Sequence, residues 1–162
     1  LLAFVLSITF IFSASAEYGD GDEAYAAGDY QGAIVEWLNV AEQGDARAQY
    51  NVAWMYANGR GSVLDFQEAS IWYKKSADQG FVHAQYNLAN LYLRGNGVTQ
   101  NDNLAFSWFL KAAEQGDAPA QYNLGRMYIL GKGGDKNILE ARFWIKLAIE
   151  NDDEYILSLI HI

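Results

Sequence analysis

The chain contains no cysteine, which excludes two ways of stabilising or anchoring a small protein. A disulfide-stapled repeat protein needs cysteine pairs, and a lipid-anchored form needs a cysteine at the start of its mature chain. Proline is almost absent as well, because Pro119 is the only one. A chain with little proline and much alanine, leucine and tyrosine suits helices, and its β-branched residues do not fall in alternating runs.

Positive charge is scarce too: 11 lysine and arginine residues stand against 20 aspartate and glutamate residues, which gives a net charge of −9. Nucleic acids and anionic lipid surfaces bind to basic patches, so we expect neither as a partner. The overall charge instead favours basic or uncharged partners. Disorder is also excluded, because 51% of the residues are hydrophobic and 15% are aromatic.

What the chain does have is a repeat of 36 residues. Each unit opens with Ala-(Glu/Asp)-Gln-Gly and continues with Ala-Gln-Tyr-Asn, as at residues 41–44 and 48–51. The recurring positions include Ala48, Ala84 and Ala120; Tyr56, Tyr92 and Tyr128; Gly59, Gly95 and Gly131; Ala69, Ala105 and Ala141; and Trp72, Trp108 and Trp144. A fixed period of about 20 to 50 residues indicates stacked supersecondary units. The question of function therefore shifts from which reaction is catalysed to which partner is bound.

Each unit has the pattern of two helices. Ala48, Val52, Met55 and Tyr56 recur with the spacing of one apolar helical face. The N-caps predicted for the first helices are Asp45 and Asp117, and those for the second helices are Asp65, Asn101 and Asn137. The glycines predicted to end the first helices are Gly59, Gly95 and Gly131. The sequence therefore predicts an all-α fold of helix–turn–helix units.

This register divides the chain into segments. Residues 1–16 are an apolar run that ends in Ala14-Ser15-Ala16, typical of a secretory signal peptide, here truncated at its start. Residues 17–44 are interpreted as an N-terminal, tetratricopeptide-like capping unit with a tight turn at Gly28-Asp29. The three full repeats are residues 45–80, 81–116 and 117–152. Residues 153–162 are read as a truncated tail, and residues 157–162 match the translated end of a sequencing adapter, so we expect those six not to be native.

The repeated unit resembles the Sel1-like repeat, a relative of the tetratricopeptide repeat, over about residues 41–152. The residues that carry the resemblance in the middle unit are Ala84, Leu88, Tyr92, Gly95, Gly97, Val98, Ala105, Trp108, Lys111, Ala112, Ala113 and Gly116. Ala53 and Ala89 replace the usual glycine, which only Gly125 supplies, and we expect this difference to affect loop packing. The resemblance implies a right-handed α–α superhelix, or solenoid, whose concave groove is lined mainly by the first helix of each pair. It also implies an adaptor or an assembly scaffold, and many bacterial members are secreted or periplasmic.

We expect no catalytic centre, no cofactor and no metal site. Nucleophilic catalysis needs Cys or Ser beside an oriented His, and His83, the one histidine before residue 157, has no partner recognisable from the sequence. Zinc needs clustered ligands, and none stand at ligand spacing. The Asp20–Glu23 segment lacks most ligands of a calcium loop. The Gly-x-Gly loops follow helices rather than strands, which indicates helix ends rather than phosphate binding.

The candidate binding site is the row of side chains between the core positions of each first helix. Its members are Arg47, Tyr50, Asn51, Trp54, His83, Tyr86, Asn87, Asn90, Arg94, Tyr122, Asn123 and Arg126. Asparagine offers a donor and an acceptor to a peptide backbone, and Tyr and Trp dominate interface hot spots. In tetratricopeptide domains that clamp peptides, Asn at the positions of Asn90 and Asn123 holds a terminal carboxylate, but Tyr86 replaces the lysine of that clamp. Alternatively, the Gln and Asn of Ala-Gln-Tyr-Asn bridge neighbouring helices.

The repeated tryptophans Trp72, Trp108 and Trp144 stand in register with small alanines, which favours core packing over carbohydrate binding. The sequence therefore predicts a non-catalytic scaffold or adaptor of the bacterial cell envelope. We expect it to be secreted or periplasmic, without a membrane anchor after signal cleavage, and to bind a protein or peptide through its concave face. Two alternatives stay open. One is binding of cell-wall glycan, or assistance to a wall-active enzyme; the other is self-packing as a structural module of a larger protein.

Overall fold

The computed structural model describes residues 19–151, which form eight helices and no strand. The helices are α1 (residues 19–26), α2 (Tyr30–Glu42), α3 (Ala46–Asn58), α4 (Phe66–Asp78), α5 (Val82–Arg94), α6 (Asp102–Glu114), α7 (Ala118–Leu130) and α8 (Ile138–Asn151). Within residues 19–151, no helix combines the length and the apolar character needed to span a membrane. The predicted signal peptide and the predicted tail, residues 1–16 and 153–162, lie outside the described residues.

Aspartate and asparagine side chains begin most of these helices, as the sequence predicted. The residues that accept a hydrogen bond from the backbone N–H three positions later are Asp29, Asp45, Asn101 and Asp117. Asp65 and Asn137 each accept from two N–H groups at the starts of α4 and α8. Such caps satisfy N–H groups that have no partner inside the helix, and each contributes about 1 kcal/mol. Helix α5 begins without a side-chain cap because Phe81 stands at the repeat position of the other caps.

Glycines in the left-handed region end the first helices, which confirms the predicted stops. Gly59, Gly95 and Gly131 have φ angles of 61°, 72° and 66°. The second glycine of two of these loops makes a close contact instead. A Cβ atom on Gly61 would overlap the backbone carbonyl of Tyr30, the first residue of α2. A Cβ atom on Gly133 would overlap the carbonyl of Asp102, the first residue of α6. These two loops therefore rest directly on the first turn of an earlier helix.

The described residues divide into two compact units, residues 19–76 and residues 77–151. In the first unit, α2 packs against α3. Helix α4 joins them through the rings of Tyr50 and Tyr73, 5.9 Å apart, and through the Ser76 hydroxyl, which donates to the carbonyl of Ala46 at 2.6 Å. In the second unit, α5 packs against α6, α6 against α7, and α7 against α8. Within each unit, helices that follow each other in the chain are thus neighbours in space.

The core combines small alanines with large aromatic side chains. The repeated alanines are at most 1% exposed: Ala69, Ala105 and Ala141. Trp72 and Trp108 are each 7% exposed, which confirms the core prediction for these two. The same prediction is wrong in part for Trp144, which is only half-buried although its Nε1 atom is enclosed. The reason is that α7 covers α6, whereas no described helix packs on α8 after α7.

Gly125 sits in the middle of α7, where α8 comes close. A Cβ atom there would lie 2.6 Å from Cγ1 of Ile145 and 3.0 Å from the carbonyl oxygen of Ala141. The expectation that this repeat position affects loop packing is therefore wrong, because the residue limits how closely two helices approach. Ala53 and Ala89, at the same repeat position, are 0% exposed and lie within α3 and α5.

Replacing Trp108 by alanine should lower the free energy of unfolding by about 3–5 kcal/mol, because a buried indole leaves a cavity that its neighbours fill only partly. The ring also carries the Lys111 ammonium, whose Nζ lies 4.0 Å from the ring centroid. Urea denaturation followed by circular dichroism measures the loss. The matched control is Leu139→Ala, at a side chain 78% exposed, which should change stability by less than about 0.5 kcal/mol. Equal unfolding midpoints for the two variants would refute the core position of Trp108.

Replacing Gly61 by alanine should destabilise the protein through both its backbone angle and its contact with Tyr30. Gly28→Ala provides the control, because Gly28 also has a positive φ, 82° against 69°, but nothing lies within 4 Å of its Cβ position. We expect Gly61→Ala to cost about 1–3 kcal/mol more than Gly28→Ala, the usual size of an overpacking penalty. The same denaturation assay measures the difference. Equal losses would show that the loop does not depend on close contact with α2.

Candidate ligand-binding face

The twelve predicted binding residues lie on the first helices of the repeats, and none of them is fully buried. Helix α3 carries Arg47, Tyr50, Asn51 and Trp54; α5 carries His83, Tyr86, Asn87, Asn90 and Arg94; and α7 carries Tyr122, Asn123 and Arg126. We call these twelve residues the first-helix face. Its ionisable side chains other than the tyrosines are Arg47, His83, Arg94 and Arg126, all of which are exposed. The face therefore contains no carboxylate.

The structure brings the four α3 residues of this face together at one pocket of about 280 Å³. The pocket is lined by Asp22, Tyr25, Trp37, Arg47, Tyr50, Asn51 and Trp54. We call it the α1–α3 pocket, because all three helices of the first unit's N-terminal half contribute to it. The α1 and α2 residues were missed in the sequence because they belong to the shortened N-terminal segment, which lacks the recurring letters of the full repeats. The tight turn at Gly28 brings α1 and α2 together, and in the sequence only the Gly-Asp pair indicates this turn.

Aromatic rings form most of the pocket's walls. The Tyr25 ring centroid lies 5.6 Å from that of Trp37 and 6.1 Å from that of Trp54, the latter pair edge to face. Trp37 is 4% exposed, and its Nε1 has no hydrogen-bond partner among the described residues. A Cβ atom on Gly21 would lie 2.5 Å from that nitrogen, so the indole edge is covered by backbone. Rings held in this way offer rigid contact area without loss of side-chain entropy on binding.

One ion pair stands beside these rings. Nη2 of Arg47 donates to Oδ2 of Asp22 at 3.1 Å, with the two side chains 60% and 42% exposed. A pair this exposed contributes little to stability, since water and salt screen it. At the pocket, the opposite charges of Arg47 and Asp22 offset each other.

A second arginine, which the sequence analysis did not single out, lies against the same rings. The guanidinium carbon of Arg60 is 5.4 Å from the Trp54 ring centroid and 5.2 Å from that of Tyr30. Its Nη1 donates to the phenol oxygens of Tyr25 and Tyr30, both at 3.3 Å. Arg60 therefore contacts two of the rings that line the α1–α3 pocket.

In the second unit, the residues of the first-helix face make defined contacts. The Tyr86 ring lies 5.8 Å from the buried Phe109, and the Arg126 guanidinium lies 5.9 Å from the Tyr122 ring centroid. Nδ2 of Asn90 donates to the carbonyl of the residue four positions earlier at 3.1 Å, and Asn123 does the same at 2.9 Å. One N–H of each amide is therefore occupied within its own helix, which weakens the comparison with a carboxylate clamp.

Comparison with known proteins identifies the repeats. A family model described as the Sel1 repeat matches residues 46–81, 82–117 and 118–153, two thirds of the chain. The chain belongs to the Sel1 repeat family. No curated protein matches it.

Solved structures carry the same fold. A Sel1 repeat protein from Oxalobacter formigenes is 35% identical, with a TM-score of 0.79 over 84% of this chain and 56% of its own. A protective antigen of uropathogenic Escherichia coli that displays an SLR fold is 34% identical, with a TM-score of 0.82 over 93% of this chain and 33% of its own. The cysteine rich protein B of Helicobacter pylori, at 19% identity and a TM-score of 0.62 over 81% of this chain and 94% of its own, shows the fold alone.

These matches confirm the predicted fold class, an all-α solenoid of helix–turn–helix repeats with a period of 36 residues. The chain spans about half the length of the Oxalobacter protein and a third of the Escherichia coli antigen. Sel1 repeats are helical scaffolds of a type that mediates protein interactions.

Buried glutamines hold these Sel1 repeats together. Gln49, Gln85 and Gln121 are 5%, 4% and 1% exposed. The Nε2 of each donates to the backbone carbonyl eight positions earlier, at 3.0, 3.3 and 3.0 Å. Those carbonyls lie in the last turn of a helix and also accept from the N–H of the glycine three positions later, so each glutamine adds a second hydrogen bond from the next helix. The interpretation that the repeated Gln bridges helices is confirmed, whereas Asn123, the Asn of the same motif in the third repeat, bonds within its own helix.

Asp117 is a mostly buried acid beside the only described histidine, His83. Its side chain is 7% exposed, and its Oδ2 lies 3.7 Å from Nδ1 of His83. Burial raises the pKa of the Asp117 carboxyl above its ordinary value, although the N–H of Ala120 and the charge of His83 act in the opposite direction. A raised pKa means that the folded state disfavours the charged form. The resulting stability is present below the unfolded-state pKa and is lost as pH rises through the folded-state value.

Within residues 19–151, no group of three or more His, Asp or Glu side chains is arranged to hold a metal ion.

Burial raises the pKa of the Tyr73 phenol far above its ordinary value, with the neighbouring Tyr50 adding to the shift. Tyr73 therefore remains neutral and serves as a packing residue.

As pH rises from about 3 to 7, the free energy of unfolding of the Asp117→Asn variant should increase relative to that of the unmodified protein. The reason is that asparagine keeps the cap but removes the charge that Asp117 would carry in a buried place. Urea denaturation at a series of pH values measures the difference from the unmodified protein. The control is Asp45→Asn, at the equivalent but exposed cap of α3. A pH dependence of the same size in both variants would contradict burial as its cause.

Proposed function

We propose that the protein is a non-catalytic scaffold of the bacterial cell envelope that binds a protein or peptide through its first-helix face. The α1–α3 pocket is the observation that carries this proposal. It is concave, walled by four aromatic side chains and edged by a few polar groups, which is the usual composition of a binding pocket. A volume of about 280 Å³ suits one large side chain of a partner rather than a whole cofactor.

The composition of its accessible side chains supports this face as the binding surface. Buried polar side chains of the repeats already bond to the protein's own backbone, as the glutamines and Ser76 do. The side chains of the first-helix face are instead partly or fully accessible, and they combine Tyr and Trp with Asn and Arg. Tyr, Trp and Arg are the residues that carry most binding energy in protein interfaces. The envelope part of the proposal rests on the signal-like sequence of residues 1–16.

Photo-crosslinking in the bacterium that carries the gene tests the proposal with the full chain. A benzoylphenylalanine replaces Asn51 or Arg126 on the first-helix face, and Gln67 or Leu139 on the second helices as controls. All four positions are at least partly exposed, so the probe should leave the fold intact. We expect the same envelope protein to be crosslinked from both face positions and from neither control, with the adduct identified by mass spectrometry.

Three other results would contradict the proposal. Adducts from the control positions alone would move the interface to the second helices. Adducts to a second copy of this chain would favour the self-packing alternative. An absence of protein adducts together with retention on immobilised muropeptides would favour binding of cell-wall glycan. The circular dichroism spectrum of every variant is compared with that of the unmodified chain, which checks that each variant is folded. Each result therefore assigns a different role to the same folded protein.

A further inference from the structure

The cationic side chains of two equivalent loops have different partners. In the loop Gly131-Lys132-Gly133, Nζ of Lys132 lies 3.8 Å from the carboxylate of Asp102, the first residue of α6. In the loop Gly59-Arg60-Gly61, the residue at the position of Asp102 is Tyr30, the first residue of α2. The first unit has therefore exchanged the carboxylate partner for a phenol. Among the described residues, no carboxylate lies within ion-pair distance of Arg60.

The Arg60 guanidinium is nevertheless held in place. Gly61 touches the carbonyl of Tyr30, which fixes the loop against α2. The guanidinium lies against the rings of Tyr30 and Trp54, and one of its nitrogens, Nη1, donates to the phenol oxygens of Tyr25 and Tyr30. A guanidinium has five N–H donors in a planar fork that matches a carboxylate, so the two phenols leave most of that fork unused. The side chain is exposed, and an incoming carboxylate can reach it.

The position of this arginine links it to the α1–α3 pocket. Tyr25 and Trp54 are both contacted by Arg60 and part of the pocket wall. The other charges at the pocket, Arg47 and Asp22, already neutralise each other at 3.1 Å. Arg60 therefore adds a positive charge beside an aromatic cavity.

We infer that the α1–α3 pocket and Arg60 together recognise an acidic peptide segment, in which a large apolar side chain enters the pocket and the carboxylate of an adjoining aspartate or glutamate pairs with Arg60. The inference rests on the proposed function and specifies the chemistry of its ligand. It differs from the expectation of basic or uncharged partners, which the net charge of −9 had suggested. Salt screens charges beyond about 8–10 Å, so a cation in direct contact with the ligand can bind a carboxylate on a protein of negative total charge.

Fluorescence anisotropy with four pools of fluorescein-labelled heptapeptides tests the inference on the full chain. In each pool the central position is an equal mixture of Leu, Phe, Tyr and Trp, followed by Glu, Gln or Lys in three amidated pools. The fourth pool carries Gln and a free C-terminal carboxylate, which distinguishes a terminal carboxylate from an acidic side chain. We expect the Glu pool to bind about tenfold more tightly than the Gln pool, and the Lys pool more weakly than both.

Three variants locate the source of that preference. Arg60→Gln should abolish the difference between the Glu and Gln pools while the Gln pool still binds. Arg60→Lys should keep part of the difference, since it keeps the charge but not the fork. Lys132→Gln, the same loop position in the third repeat, should leave the preference unchanged. Thermal unfolding of each variant checks its fold, and the comparison of pools on the unmodified chain remains valid whatever the variants do.

Equal binding of the Glu and Gln pools, or a preference that survives Arg60→Gln, would overturn the inference and leave the proposed function intact. Tighter binding of the fourth pool than of the Glu pool would also overturn it, because the recognised group would then be a chain end. Failure of every pool to bind would overturn it as well. The crosslinking experiment decides the proposed function separately, since it depends on neither the peptides nor Arg60.

Discussion

The close contact between the second glycine of a Gly-x-Gly loop and the first turn of an earlier helix sets the geometry of each unit. Gly61 meets the carbonyl of Tyr30, and Gly133 meets that of Asp102, at distances that leave no room for a Cβ atom. Because the contact joins backbone to backbone, the loop cannot shift without moving the helix it touches. The first glycine stops the helix at a positive φ, and the second places the returning chain. The residue between them is then carried to a fixed place, which is why Lys132 reaches Asp102 and Arg60 reaches Tyr30.

The two kinds of helix differ in how they use their cations. Lys75 and Lys111, on the second helices, lie 3.7 and 4.0 Å from the ring centroids of Trp72 and Trp108. They cover core tryptophans, and their stems extend the apolar surface. The arginines Arg47, Arg94 and Arg126 stand on the first helices instead, with Arg60 in the loop that follows α3. Arginine is the cation suited to planar recognition of carboxylates, whereas lysine acts as a point charge. The arginines of the first helices and of the loop after α3 are therefore suited to a carboxylate ligand.

Sequence reasoning recovered the fold because its signals recur. The caps at Asp45 and Asn101 and the stop at Gly95 depend on backbone rules that act within a few residues, and the period repeats them. The burial of Trp144 was predicted wrongly because it depends on what packs against the outside of the repeat, and the sequence of the repeat itself does not indicate this. Gly125 was misread as a loop feature because its role is the distance between two helices, and that distance is a tertiary property.

The candidate site was only half accessible to the same reasoning. The α3 residues of the pocket follow from the repeat register, but Asp22, Tyr25 and Trp37 come from a segment that departs from the repeat. Arg60 lies in a Gly-x-Gly loop, which the sequence identifies only as a helix end, and the role of its side chain becomes visible only when the contacts of equivalent loops are compared. Only when Asp102 is seen to pair with Lys132 does its replacement by Tyr30 become informative.

Local charge and total charge lead to different partners for this protein. Salt largely screens charges that are more than a Debye length of about 8–10 Å apart, so a charge in contact with a ligand counts for more than the total charge. Near the α1–α3 pocket, Asp22 is neutralised by Arg47, and Arg60 remains with phenols for partners. A distant negative charge slows the approach of an acidic segment, but it does not cancel a charge-assisted hydrogen bond once the segment has docked. Such a protein would bind acidic partners with modest association rates and would gain its selectivity after contact, through the fit of one apolar side chain beside one carboxylate.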